Sequence, residues 1–349
     1  MAKKSRVVQV GCGGRGQAHL KATLAVKDID LVALCDMDKA RLDAAVKQFG
    51  FKGRTYSSMP EMLKKEKYDV VDIITPPTIR VGIVEEAVSC GAKAILIEKP
   101  IALRPSEARR LVEIGKNVLI GVNTQYQWMP HWQKFWKLLA ANKLGKIQYI
   151  RASTQTNILE QGPHIMDLTM KAAMVSGLPW PETVLAGCSE LERFGKDPVP
   201  KDTSAVVKIG DARIYLTAGP SAPDVPGETV YWYHIQVDIV GERGRLWVSL
   251  NQGWKLWLGS KNGKTSKHES GITCWDKNDG ESQRGIIAGM CDAVRKRTQK
   301  RFPTRVEVSA RIADLFFGCY ESALTNKTVN LPTTLDDSVV ERLEKLGGK

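Results

Sequence analysis

Val7-Val8-Gln9-Val10-Gly11-Cys12-Gly13-Gly14-Arg15-Gly16 decides how this chain is read. A short run of strand-forming residues passes directly into a Gly-x-Gly-x-x-Gly turn, and residues 17–26 beyond it have helical periodicity. Strand, turn and helix in that order make a cradle for a pyrophosphate. Gly11 permits the tight turn, Gly13 lets the backbone approach the phosphates, and Gly16 lets the helix pack close to the strand. The helix start, from Gly14 and Arg15 onward, offers free N–H groups and the positive end of its dipole to the same phosphates.

Asp36 ends the next apolar run, 20 positions beyond Gly16. A carboxylate at that distance accepts hydrogen bonds from ribose hydroxyls and repels a 2′-phosphate, so NAD is favoured over NADP. Asp38 adds further negative charge. Around this turn the first 122 residues alternate regularly. Strands are predicted at 6–10, 31–35, 70–75, 94–97 and 118–122, each rich in Val, Ile and Leu without polar alternation. Helices are predicted at 17–26, 39–49, 60–65, 79–90 and 106–116, with Asp38 and Ser58 as start signals and Gly50 and Gly91 as stops. Such alternation implies right-handed βαβ units, so residues 1–122 are expected to form a Rossmann domain with a doubly wound parallel sheet.

Residues 123–349 have a different character. A helix at 131–142 precedes strands at 147–153, 203–209, 212–218, 229–240, 244–250 and 255–258, several with period-two alternation. Gly241-Glu242-Arg243-Gly244 has the chemistry of a turn joining two of them, and a late helix is expected at 308–324. The expectation is an α+β domain with a large, mainly antiparallel open sheet, one face covered by helices. Trp232, Trp247, Trp254 and Trp257 fall on or near these strands and fit a subunit interface better than a sugar platform.

Composition narrows the function classes. Of 349 residues, 43% are hydrophobic and 26% charged, ordinary values for a globular chain. No stretch approaches the apolar length of a membrane span and no signal-peptide core appears, so a cytoplasmic location is expected. The seven cysteines are scattered and never form CxxC, which argues against a disulfide framework or a zinc site. The net charge of +13 raises the question of nucleic acid. Its densest segment, Arg295-Lys296-Arg297 with Lys300, Arg301 and Arg305, carries little aromatic interleaving. It reads as a solvated helix end, with attraction of an anionic substrate as the other reading, and no nucleic-acid partner is expected.

Two further constellations carry chemistry. Glu98-Lys99-Pro100 closes the fourth predicted strand, at the carboxyl end where open α/β sheets place ligands. A lysine there can hydrogen-bond a substrate hydroxyl and stabilise its deprotonated form. Glu160-Gln161-Gly162-Pro163-His164-Ile165-Met166-Asp167 runs from a loop into a helix and sets His164 between two carboxylates, four residues after Glu160 and three before Asp167. An imidazole so placed suits removal of an alcohol proton.

These residues together resemble the glucose–fructose oxidoreductase / inositol dehydrogenase / MocA (Gfo/Idh/MocA) family. The resemblance spans nearly the whole chain: the glycine turn, Asp36, Thr75-Pro76-Pro77, Glu98-Lys99-Pro100, Gly162-x-His164-x-x-Asp167, the turn at 241–244 and Tyr320-Glu321-Ser322-Ala323. It implies hydride transfer at a hydroxyl-bearing carbon of a sugar or inositol, with Lys99, Glu160 and His164 as catalytic residues. It also implies Thr75, Pro76, Glu98 and Lys99 beside the cofactor, and Asp167, Tyr126, Gln127 and Arg80 on the substrate side. A homo-oligomer, dimer or tetramer, through the open sheet is implied as well. Departures are Arg80 where the family has a His, Glu160 for the commoner Asp, Pro163 before His164, and Thr156-Asn157-Ile158-Leu159 in place of a glycine run. Two alternatives stay open: a redox-neutral NAD-dependent glycoside hydrolase working through a transient keto-sugar, and a non-catalytic NAD(H) sensor.

Overall fold

A computed structural model describes residues 4–259 and 267–346; the start of the basic N-terminal stretch, residues 1–3, lies outside them. The first elements are β1 (Ser5–Val10), α1 (Gly14–Leu24), β2 (Ile29–Cys35), α2 (Lys39–Phe49), β3 (Arg54–Tyr56), α3 (Met59–Lys65), β4 (Val70–Ile73), α4 (Arg80–Ser89), β5 (Ala94–Glu98), α5 (Pro105–Gly115) and β6 (Leu119–Asn123). The strands form a six-stranded sheet in the order β3-β2-β1-β4-β5-β6, every pair parallel. The doubly wound sheet expected from the sequence is therefore present. The chain order reverses between β1 and β4, and the crevice beyond the carboxyl ends of those strands is where such sheets take ligands. The local signals act as read: the Asp38 carboxylate accepts from the Ala40 and Arg41 N–H groups at the start of α2, and Gly50 ends it with φ of 59°. Strand β3, three residues long, was too short to show a period.

The remaining elements are α6 (Pro130–Ala140), β7 (Ile147–Thr154), α7 (Gly162–Val175), β8 (Thr183–Phe194), β9 (Asp197–Ile209), β10 (Ala212–Ala218), β11 (Ile235–Gly241), β12 (Gly244–Ser249), β13 (Trp254–Leu258), β14 (Lys267–Gly271), α8 (Trp275–Arg295), α9 (Val306–Thr325), β15 (Val329–Asn330) and α10 (Ser338–Arg342). The chain divides into two compact units, and the division is discontinuous. The first extends to Leu103 and takes in Glu107–Met129 and Asp279–Ala310; the second holds Arg104–Ser106, Pro130–Asn278 and the residues from Arg311 on.

The sequence implies one boundary near residue 122, whereas Asp279–Ala310 belongs with the first unit. The reason is apolar. Ile286, Ile287, Met290, Cys291 and Ala293 of α8, with Phe302, share one buried core with Val7, Leu96 and Leu119. Gly121 of β6 has no room for a side chain, because a Cβ there would come within 2.6 Å of the Phe302 ring. The basic segment that follows is a helix end: Arg295 and Lys296 both pair with Asp292, and Arg305 with Glu307.

The second unit is built on a nine-stranded sheet, ordered β14-β13-β12-β11-β7-β10-β9-β8-β15. Only the β7–β10 pair is parallel, so the sheet is mainly antiparallel, as expected. Ile150 and Ala152 of β7, Ile214 and Leu216 of β10 and Val237 and Ile239 of β11 are buried, and α7 packs on β7 and β11. Tyr215, Gln236, Arg245, Trp247, Lys255 and Trp257 line a groove on the opposite, open face. Gly241 and Gly244 pair across the hairpin joining β11 to β12.

Two expectations are corrected here. Residues 229–234 are not strand: Tyr231–Tyr233 form a 3-10 turn, with Trp232 edge-on to Trp275, and β11 begins only at Ile235. The long strand β8 was not foreseen, since its exposed positions carry Glu190, Glu192 and Arg193 and hide the alternation.

Candidate functional site

In the first unit the glycine turn leaves β1 and enters α1 with Gly13 as its N-cap. Two of its glycines are required by the fold. A Cβ on Gly11, whose φ is +100°, would lie 2.2 Å from the Ile74 carbonyl oxygen, and one on Gly16 would lie 2.2 Å from the Gly11 oxygen. Gly13 and Gly14 differ, because a Cβ there meets nothing within 4 Å. That side of the turn is open for a ligand. The Gln9 side-chain amide braces the turn by donating to the Gly11 and Gly16 carbonyls at 2.9 and 3.0 Å. No side chain caps α1, and its first turn carries no acidic residue. Asp36 is tied into the same structure, one carboxylate oxygen accepting the Cys12 N–H at 2.7 Å and the other the Asp38 N–H at 2.9 Å.

Beside the turn lies a buried charge network that the sequence reading missed. His19 of α1 is 1% exposed, with Nδ1 2.9 Å from Asp72 Oδ2 and Nε2 2.8 Å from Glu98 Oε1. The same Glu98 oxygen accepts from Asn123 Nδ2 at 2.6 Å and from Arg15 Nε at 3.1 Å, and the other accepts the Lys99 N–H. Arg15 also donates to Gln283 and lies 3.6 Å from Asp279. Burial alone would raise the Glu98 pKa, but Arg15, His19 and Lys99 hold it well below the usual carboxylate range. Burial opposes charge on His19, yet Asp72 and Glu98 outweigh it and lift its pKa to about 9. Lys99, half-buried, follows at the end of β5.

Arg80, expected on the substrate side, is 1% exposed and donates to two backbone carbonyls, Thr75 at 2.7 Å and Pro100. Pro76, between these loops' donors and acceptors, is exposed. Tyr126 and Gln127 are buried in the 3-10 turn Gln125–Trp128 that follows β6.

In the second unit α7 carries His164 and Asp167, both buried, and begins at Gly162 with Pro163 in its first turn. Glu160 therefore sits in the preceding turn rather than on the helix. That turn is built by Asn157, whose Oδ1 accepts the Leu159 and Glu160 N–H groups at 2.9 Å and whose amide donates to Glu192. An Asx turn thus does what a glycine run would do. Ile158 and Leu159 are buried, and Gly162 leaves room for Ile158 and Phe316.

Residues 5–122 match the model of an oxidoreductase family with an NAD-binding Rossmann fold, GFO_IDH_MocA. The match covers about a third of the chain and is to the Gfo/Idh/MocA oxidoreductases. It is 34% identical to D-apiose dehydrogenase of Paraburkholderia graminis over 145 residues, 41% of this chain and 38% of that one, so the match spans about two-fifths of that relative. A D-apiose dehydrogenase of Rhizobium rhizogenes is 24% identical over 93% of this chain and 97% of its own length. Among solved structures, levoglucosan dehydrogenase in complex with NADH and L-sorbose superposes with a TM-score of 0.77, at 17% identity, over 95% of this chain and all of that one. That likeness concerns the fold.

NAD, the cofactor of the matched family model, fits the residues present here. The open side at Gly13 and Gly14, the uncapped and acid-free start of α1 and the Asp36 carboxylate are the features a dinucleotide needs. Among the described residues, no cluster of His, Cys, Asp and Glu could hold a metal ion, and no helix is long and apolar enough to cross a membrane. The residues missed by sequence reasoning are His19, Asp72, Asn123, Asp279 and Gln283. The one available signal was a polar residue, Asp72, inside the apolar run of β4.

Proposed function

We propose that the protein is an NAD-dependent dehydrogenase acting on a hydroxyl-bearing carbon of a sugar or cyclic polyol. The observation that carries this reading is Lys99 at the carboxyl end of β5, next to a Glu98 locked as a carboxylate and bonded to Arg15 of the phosphate turn. The relatives named for apiose and levoglucosan support a sugar as substrate. Gly13, Gly14 and the start of α1 would hold the pyrophosphate and Asp36 the ribose. Bound NAD supplies the hydride acceptor.

Each side chain then has one task. His164 takes the proton of the reacting hydroxyl, and Lys99 donates a hydrogen bond to the same oxygen as negative charge develops there. Asp167, one helical turn from His164, and Glu160, in the turn before α7, bind neighbouring hydroxyls or orient the imidazole. The deep burial of His164 supports a proton transfer shielded from water.

The test is absorbance at 340 nm with NAD and a panel of sugars, inositols and glycosides, together with product analysis. Sustained NADH formation on a free sugar or polyol is expected. Glycoside cleavage without NADH would replace this reading with the redox-neutral hydrolase. A homo-oligomer through the open sheet face is part of the proposal, supported by exposed Leu185, Val206 and Tyr215 on β8, β9 and β10. Light scattering that returned a monomer mass would remove that part.

A further inference from the structure

Arg80 is the first residue of α4, directly after the turn that Pro76 and Pro77 shape. It is 1% exposed, and no carboxylate among the described residues is bonded to it. Its two terminal nitrogens donate to the carbonyl oxygens of Thr75 and Pro100, and its Nε has no partner. Burial pulls its pKa down to about 10, against the pull of Glu98 and Glu107. A buried cation without an ion partner is costly, and an apolar side chain of similar length would fill the space more cheaply. Something other than packing keeps it there.

The two carbonyls identify what that is. They lie in the loops that leave the carboxyl ends of β4 and β5, the edge of the sheet that faces the ligand crevice. Pro76, Pro77 and Pro100 have no N–H, so these loops have few amide donors with which to hold one another. A planar guanidinium with several divergent donors can reach two carbonyls at once, which an ammonium does poorly.

We propose that Arg80 is a positioning residue for Lys99: by joining the Thr75 and Pro100 carbonyls from the protein interior, it fixes the backbone of the Glu98-Lys99-Pro100 turn and hence the base of the Lys99 side chain. It touches neither substrate nor cofactor. A misplacement of about 1 Å is enough to cost a catalytic group roughly 100-fold.

The experiment compares wild type, Arg80→Met and Arg80→Lys, each also combined with Lys99→Ala. The kinetic arm rests on the dehydrogenase reading. There Arg80→Met is expected to lower kcat by about 10- to 100-fold, with NAD affinity, from fluorescence titration, within about 2-fold. Arg80→Lys recovers part of the loss. On the Lys99→Ala background Arg80→Met changes the residual rate by less than about 2-fold, because a residue acting through Lys99 has nothing left to act on. An equal loss on both backgrounds, or an unchanged kcat, overturns the proposal. The second arm needs no turnover: hydrogen exchange in a peptide spanning residues 98–104 should speed up by about 10-fold in Arg80→Met, with α2 unaffected. If no substrate is oxidised, the dehydrogenase reading falls and this arm alone decides; unchanged exchange overturns the role of Arg80. Should Arg80→Met fail to fold, Arg80→Lys carries the same comparisons.

Discussion

His19 Nε2 and Glu98 Oε1 lie 2.8 Å apart in the interior of the nucleotide-binding unit, and Asp72 holds the other nitrogen of the same imidazole at 2.9 Å. An imidazole between two carboxylates is a charged imidazole, which is why its pKa rises from 6.5 to about 9. A group whose folded pKa exceeds its unfolded one stabilises the fold fully below the unfolded value and loses that contribution as pH climbs through the folded value. Thermal stability should therefore decline between pH 6.5 and about 9 by an amount that His19→Gln removes. The expected contribution is on the order of a few kcal/mol. Melting curves across this range check it, and an equal decline in the variant would contradict it.

The four glycines of the turn should separate cleanly into two kinds. Gly11→Ala places a Cβ 2.2 Å from a backbone oxygen at a φ of +100°, so it should destabilise by about 1–3 kcal/mol or more. Gly13→Ala meets nothing within 4 Å, so its melting temperature should stay at the wild-type value while NAD affinity falls by about 10-fold. Calorimetry with and without NAD distinguishes them.

Asp36→Asn keeps an acceptor for the Cys12 N–H but removes the charge that repels a 2′-phosphate. The variant should fold normally and bind NAD more weakly, while its discrimination against NADP narrows by about 10-fold or more. Equilibrium titrations with both dinucleotides measure this. An unchanged ratio would mean that another group reads the ribose.

For Lys99→Ala the expected loss in kcat is about 100- to 1,000-fold, the usual scale for removing a donor to a developing oxyanion. NAD binding should persist, since the glycine turn and Asp36 are untouched. Stopped-flow absorbance at 340 nm reads both quantities, and wild-type turnover in this variant would remove Lys99 from the reaction.

Legibility in the sequence followed the range of the interactions. Strands such as β5 and β6 are buried along their length and bounded by turns, so their apolar runs stand out without tertiary information. The phosphate turn is nearly as local: apart from the Ile74 carbonyl that crowds Gly11, its requirements fall within Gln9–Gly16 and Asp36. His19 was not legible, because its partners Asp72 and Glu98 lie 53 and 79 residues away and nothing near it in the chain marks it as charged. Arg80 was legible as a departure from a pattern but not as a strut, since its acceptors are backbone carbonyls that carry no residue signature. The first half of α8 hid for another reason. Asp276, Lys277, Asp279 and Glu281 dilute its apolar stripe until Ile286.

The segment Asp279–Ala310 has a consequence for how the molecule comes into being. The phosphate turn leaves the ribosome long before Ile286, Ile287, Met290 and Phe302, which seal the core around Val7 and Leu96. At roughly 5–20 residues per second the wait lasts tens of seconds at the slow end of that range. During that interval the nascent Rossmann sheet stands with part of its greasy underside bare, a natural client for a chaperone. A gene fragment cut at residue 122 would leave it in that condition permanently.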